Sequence, residues 1–182
     1  MITIKHKLNN ANEIIELEKQ FFLNDKVVSF ENCRAWFNSE PLCYFGAYDN
    51  NKLVGYLCCI PLKKDFYNDY KNGITNETKL TQNFIEPYKV GDNFCLLEGV
   101  GVLPEYRTQG VLKMLLNKYK NFVIEQKENG VIVTEIIADC VTVDGEKFMM
   151  RTFDAKKYTK SHWGNIYLGT VNYQKFQQEL NS

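Results

Sequence analysis

The sequence predicts a single mixed α/β domain in which a strand–helix–strand crossover follows a set of antiparallel strands. Three observations carry this expectation. The chain has 182 residues, 45% of them hydrophobic, which is enough for one core and typical of one domain. Two runs of strand character, residues 43–48 and 53–60, flank the turn Asp49-Asn50-Asn51, where asparagine tolerates positive φ, and so read as an antiparallel hairpin. Farther on, a strand at 94–102, an amphipathic helix at 110–126 and an apolar strand at 131–138 follow one another closely.

The other elements fall around these. Residues 1–7 alternate Ile2 and Ile4 with polar neighbours, as a short strand does. Asn10, with Glu13 three residues on, marks a helix start, and Ile14, Leu17 and Phe21 continue at helical spacing. Ser29-Phe30-Glu31-Asn32 opens a second short helix, and Pro41 closes that region. Residues 63–91 form a polar, aromatic-dotted insert broken at Gly73 and Pro87, where Leu80 and Phe84 suit a short helix. The helix at 110–126 carries Val111, Leu112, Leu115, Leu116, Tyr119, Phe122 and Val123 on one side, and Lys113, Asn117, Lys120 and Asn121 on the other. The strand at 131–138 is almost unbroken in its apolar character, as strands covered on both faces are. A helix at 146–153, a strand at 166–171 and a helix at 173–180 complete the order.

Composition excludes some function classes. Lysine plus arginine balances aspartate plus glutamate at 22 each, so no global field draws the chain to nucleic acid or to an anionic membrane. No apolar run reaches the roughly 18 residues of a membrane span. The opening Met1-Ile2-Thr3-Ile4-Lys5-His6 lacks the apolar core of a secretory signal, and the expected compartment is the cytoplasm. The six cysteines show no metal-type spacing and read as reduced, mostly buried thiols. His6 and His162 share no helical spacing, so no metal is expected.

The chemically informative stretch is 97–116. Here Leu97-Glu98-Gly99-Val100-Gly101-Val102 runs through Leu103-Pro104-Glu105-Tyr106 into Arg107-Thr108-Gln109-Gly110-Val111-Leu112, where a long helix begins. Amides at a helix start are unpaired and carry partial positive charge, and glycine lets a ligand approach the backbone closely. Such a junction suits an anion, a diphosphate included. By itself this pattern is common.

The same residues resemble the acetyl-CoA motif of the GNAT (N-acetyltransferase) superfamily, Gln/Arg-x-x-Gly-x-Gly/Ala. Arg107 and Gly110 match, and Leu112 stands where the superfamily prefers a small residue. Ile136 to Ala138, Val141-Thr142 and Gly145-Glu146-Lys147-Phe148 resemble the strand and helix that close the cofactor cleft. The order of elements fits nearly the whole chain, although the first third and residues 63–91 agree only in outline.

The resemblance implies a central, mostly antiparallel sheet, flanked by helices, whose fourth and fifth strands are parallel and splay apart. Acetyl-CoA would be the co-substrate, with no metal. Val100, Gly101 and Val102 would line the pantetheine arm. Arg107, Thr108, Gln109, Gly110, Val111 and Leu112 would hold the pyrophosphate. Lys147, with Arg151 four residues on, would meet a cofactor phosphate or form a solvated basic face. The reaction implied is acetyl transfer to a primary amine, on a small molecule or a peptide, by direct attack in a ternary complex.

Such a transfer needs a neutral amine, so a carboxylate that collects its proton is useful. Glu98 is the candidate base, placed on the same face as Val100 and Val102 if strand alternation holds; the alternative is a salt-bridging glutamate in a strand. Where the superfamily often has an acidic tyrosine, this chain has Phe148, which leaves Tyr158 as the candidate proton donor, against a packing role. Cys140 is a conceivable nucleophile without a nearby histidine in sequence. Residues 63–91 read as a lid over the acceptor site, a homodimer contact or a plain loop. The rival function is a non-catalytic acyl-CoA sensor or interaction module of the same fold.

Overall fold

The computed structural model describes residues 1–8, 11–21 and 29–182; Asn10, read above as a helix cap, lies outside them. Seven strands form one sheet: β1 (Ile2–His6), β2 (Tyr44–Asp49), β3 (Lys52–Leu62), β4 (Gly91–Val102), β5 (Val131–Cys140), β6 (Lys156–Lys160) and β7 (Asn165–Thr170). Their spatial order is β1-β2-β3-β4-β5-β7-β6. β4 and β5 run parallel, and the other neighbours pair antiparallel. The helices are α1 (Asn12–Glu18), α2 (Phe30–Ser39), α3 (Lys64–Lys71), α4 (Val111–Glu128), α5 (Val143–Phe153) and α6 (Tyr173–Leu180). No helix among the described residues is long and apolar enough to cross a membrane.

Local chemistry explains the main joints. Asn50 and Asn51 both take positive φ, 47° and 69°, so a two-residue turn connects β2 and β3 with the twist a hairpin needs. Ser29 accepts the Asn32 amide and starts α2, and Thr142 accepts the Gly145 amide and starts α5. β3 is buried from Leu53 onward, as expected of a strand covered on both faces. α4 packs on β1, β2, β3 and β5, and α1 packs on β3 and α2. Tyr119 of α4 and Phe153 of α5 meet edge to face at 6.2 Å, and Phe153 meets Phe176 of α6 at 6.1 Å.

Three expectations need correction. The insert holds α3 and two 3₁₀ turns, Glu77–Lys79 and Gln82–Phe84, in place of a helix spanning Leu80 and Phe84. Its buried Phe66, Tyr67, Tyr70 and Leu80 fix it to the domain, with the Trp36 indole N–H donating to Leu80 O at 2.8 Å. β6 was not anticipated, because its Lys-Lys-Tyr-Thr-Lys sequence belongs to a polar sheet edge and carries no apolar alternation. The third correction concerns the face of Glu98, described below.

Candidate active site

The site begins with a discontinuity between the two parallel strands. β4 and β5 pair from Gly91↔Val131 to Leu96↔Ile137, and beyond that point the ladder stops while both strands continue. A cavity of about 430 Å³ opens there. Its walls include Leu97 to Val100 of β4, Ala138 to Cys140 of β5, and Gly145, Phe148 and Met149 of α5. Glu18 of α1, Ser29 and Asn32 at the start of α2, Glu77 and Thr78 of the insert, and Trp163 of the β6–β7 turn complete the lining.

A β-bulge places Glu98 in this cavity. Cys58 opposes Gly99 and Cys59 opposes Leu97, so Glu98 has no partner on β3. The extra residue breaks strict alternation. A Cβ on Gly99 would meet the Tyr56 ring, and one on Gly101 would meet Phe21; Val102 instead reaches toward Val111 of α4. Glu98 turns to the Gly99 side, where Glu18 and Cys58 are its neighbours, and away from the face of Val102. Strand alternation alone puts it on the wrong face.

The environment of Glu98 favours the protonated acid. Burial pushes its carboxyl well above the usual carboxylate range, and the nearby charges of Glu18 and Glu77 push it further, opposed in part by a hydrogen bond from Cys58. Its Oε2 is shut off from solvent and has no hydrogen-bond partner among the described residues. Glu18 accepts the Tyr56 hydroxyl at 2.7 Å, Glu77 accepts the Tyr70 hydroxyl at 3.0 Å, and Asp139 accepts the Ser161 hydroxyl at 2.7 Å. Burial also raises Glu77, with Asp139 adding to it. No lysine, arginine or histidine among the described residues lines the cavity.

The turn before α4 has the form expected of an anion cradle. Pro104–Gln109 makes a 3₁₀ turn, held by the Arg107 Nε–H donating to Val102 O at 3.1 Å and by Gln109 donating to Glu105 O at 3.0 Å. Gly110 sits at φ 73°, ψ 12°, in the left-handed region, with open space where a side chain would begin. No side chain among the described residues caps the first amides of α4. Val111 is fully buried and anchors the helix start, while Leu112 points outward. Leu112, Lys113, Asn117, Lys147, Phe148 and Arg151 line a groove of about 540 Å³ between α4 and α5. Phe148 belongs to both concavities, so groove and cavity adjoin.

Other candidates scatter. Tyr158 is 51% exposed on β6, under the Lys71 ammonium, and does not line the cavity. Trp163 does line it, with His162 edge-on at 5.1 Å. Cys140 lines it too, but burial pushes its thiol up to about 12, with Asp139 and Glu146 adding to the shift. Glu18, Glu77 and Asp139 were not singled out from sequence, because they come from segments far apart in the chain and join only in the fold.

A parallel pair that parts beyond Leu96 and Ile137, with a glycine-led helix beside it, is the arrangement that the resemblance implied. The sequence profile of the Acetyltransferase (GNAT) family matches residues 11–140, and the chain belongs to that family. A search of curated proteins finds no significant match. Solved structures share the fold. The NatC complex bound to Gag peptide and CoA superposes with TM-score 0.61 and 14% identity, over 94% of this chain and 99% of that one. The PaiA N-acetyltransferase of Thermoplasma acidophilum, in complex with coenzyme A, gives TM-score 0.54 and 12% identity, over 94% and 99%. The loading GNAT-like domain of CurA from Lyngbya majuscula gives 0.56 and 18%; there the match covers 76% of this chain and spans 64% of the other. Family membership makes acyl-CoA-dependent acyl transfer the chemistry of this fold.

Proposed function

We infer that the protein is an N-acetyltransferase that moves an acetyl group from acetyl-CoA to a primary amine within a ternary complex. The observation that carries this reading is Glu98: an enclosed carboxyl with a free oxygen, set by a bulge where β4 and β5 part. The amine nitrogen attacks the thioester carbon, the carbon–sulfur bond breaks, and coenzyme A leaves as its thiol. Glu98, in its ionised form, takes the proton the amine must lose, directly or through one water.

The other residues have supporting parts in this reading. The amides from Thr108 to Leu112 hold the pyrophosphate, with the left-handed Gly110 keeping side-chain bulk away. Val100, Gly101 and Val102 offer backbone groups to the pantetheine amides. Lys147 and Arg151, in the adjoining groove, suit a nucleotide phosphate. The insert covers the acceptor end through Glu77 and Thr78. Its role as a lid is tested by limited proteolysis with and without acetyl-CoA and acceptor; cleavage within 63–91 unaffected by either would exclude it.

One observation favours a second reading, an acyl-CoA-binding module without turnover. Phe148 lines the cavity where the superfamily pattern often has a tyrosine, so α5 offers no hydroxyl there. A thiol-release assay with acetyl-CoA and a panel of small and peptide amines separates the two. Release that depends on the amine supports the enzyme; tight binding of acetyl-CoA with no release under any amine supports the module.

A further inference from the structure

The cavity is lined by more carboxylates than attack by a single amine uses. The candidate base is Glu98, yet Glu77 lines the same space from the insert. Glu77 accepts the Tyr70 hydroxyl at 3.0 Å and its own backbone amide, both neutral donors, and its charge is felt at Glu98. Tyr70 and Leu80, on either side of the Glu77 turn, are buried, so this carboxylate is held in place and does not sit on a loose loop. The Glu98 Oε2 is buried and has no hydrogen-bond partner among the described residues, so this carboxyl keeps an acceptor position that no donor has taken. No cationic side chain among the described lining residues faces these carboxylates, so the space suits a ligand that carries positive charge.

We propose that the acceptor is a di- or polyamine: one amine is presented at Glu98 for acetylation while a second, protonated amine is held by Glu77. This rests on the acetyltransferase reading above. The attacked nitrogen gives its proton to Glu98 and becomes the amide; the second nitrogen keeps its proton throughout and takes no part in bond making. A monoamine of equal length leaves Glu77 without a cation, and an amino acid brings a carboxylate against it.

The test compares three acceptors of matched length in the thiol-release assay: butylamine, 1,4-diaminobutane and 4-aminobutanoate, repeated with the six-carbon series. Charge-assisted bonds to enclosed carboxylates predict a kcat/KM for the diamine about tenfold to a hundredfold above the monoamine, with the amino acid lowest. The E77Q variant keeps an acceptor for the Tyr70 hydroxyl. It is expected to bring the diamine down to about the level of the monoamine, both measured in that variant. Equal use of diamine and monoamine at both lengths overturns this inference alone, as does a diamine preference that survives in E77Q. Release with no amine of any kind overturns the acetyltransferase reading and this inference with it.

Discussion

The Tyr56 hydroxyl donates to Glu18 Oε1 at 2.7 Å, in the space that a side chain at position 99 would have to fill. Gly99 therefore lets β3 deliver a hydroxyl to a carboxylate of α1, directly beside the bulge residue Glu98. The result is a buried acidic pair in which Glu18 is steadied by its donor and Glu98 bears the electrostatic consequence. A carboxyl raised in this way holds a proton more tightly than an ordinary carboxylate and, once ionised, is a stronger base toward an amine.

Replacing that carboxyl is the direct test of its role. E98Q is expected to lower kcat by about a hundredfold, the usual scale of a lost general base. Wild-type kcat/KM is expected to fall on acidification through a limb above the ordinary carboxylate range, since Glu98 must be ionised to act. In E98Q that limb disappears and only the ionisation of the amine remains. A pH–rate profile of the same shape in both proteins removes Glu98 from the chemistry.

The same shift has a signature in stability. In the folded protein Glu98 holds its proton at pH values where the unfolded chain, near 4.5, has lost it. Between those limits the folded state binds more protons, so stability is fullest below the unfolded value and declines as pH rises toward the folded one. Glu18 and Glu77 face the same group and add to the strain of ionising it. The Tm of E98Q minus that of wild type, followed by calorimetry, is expected to grow as pH rises from 4.5; a constant difference shows that Glu98 is not raised.

At the cofactor turn, backbone shape and charge can be separated. G110A forces a β-carbon into the left-handed region at a cost of about 1–2 kcal/mol, and its affinity for acetyl-CoA is expected to fall about tenfold. G110E adds an anion at the same amides and is expected to abolish binding in titration calorimetry. If G110E binds as wild type does, the pyrophosphate lies elsewhere.

Much of the scaffold was legible before the fold. The Asn50-Asn51 turn, the α4 stripe and the apolar β5 are local patterns, and periodicity reads local patterns well. α3 left a readable trace, Phe66, Tyr67 and Tyr70 at helical spacing, obscured by its polar neighbours. What was illegible is non-local. The bulge at Glu98 exists only as a mismatch of register with Cys58 and Cys59, and no single strand encodes it. The acidic cavity is likewise a meeting of α1, the insert, β4 and β5. Tyr158 illustrates the opposite error: a chemically apt side chain that topology leaves on an exposed edge. Accordingly, Y158F is expected to keep kcat within about twofold of wild type in the thiol-release assay.

Cys140 decides between direct and covalent transfer. It lines the cavity beside Asp139, close enough to the β4–β5 gap for an acyl-cysteine route to be drawn on geometry alone. Electrostatics argues against that route. A nucleophilic thiol needs thiolate, and burial, with the carboxylates of Asp139 and Glu146, pushes this one up to about 12. At pH 7 the thiolate fraction is then about five orders of magnitude below unity. C140S is expected to retain turnover within about twofold, and intact-protein mass spectrometry of wild type with acetyl-CoA and no amine is expected to show no added acetyl group. An acetylated protein that is absent in C140S, together with a collapse of turnover in that variant, would replace direct attack with a two-step mechanism.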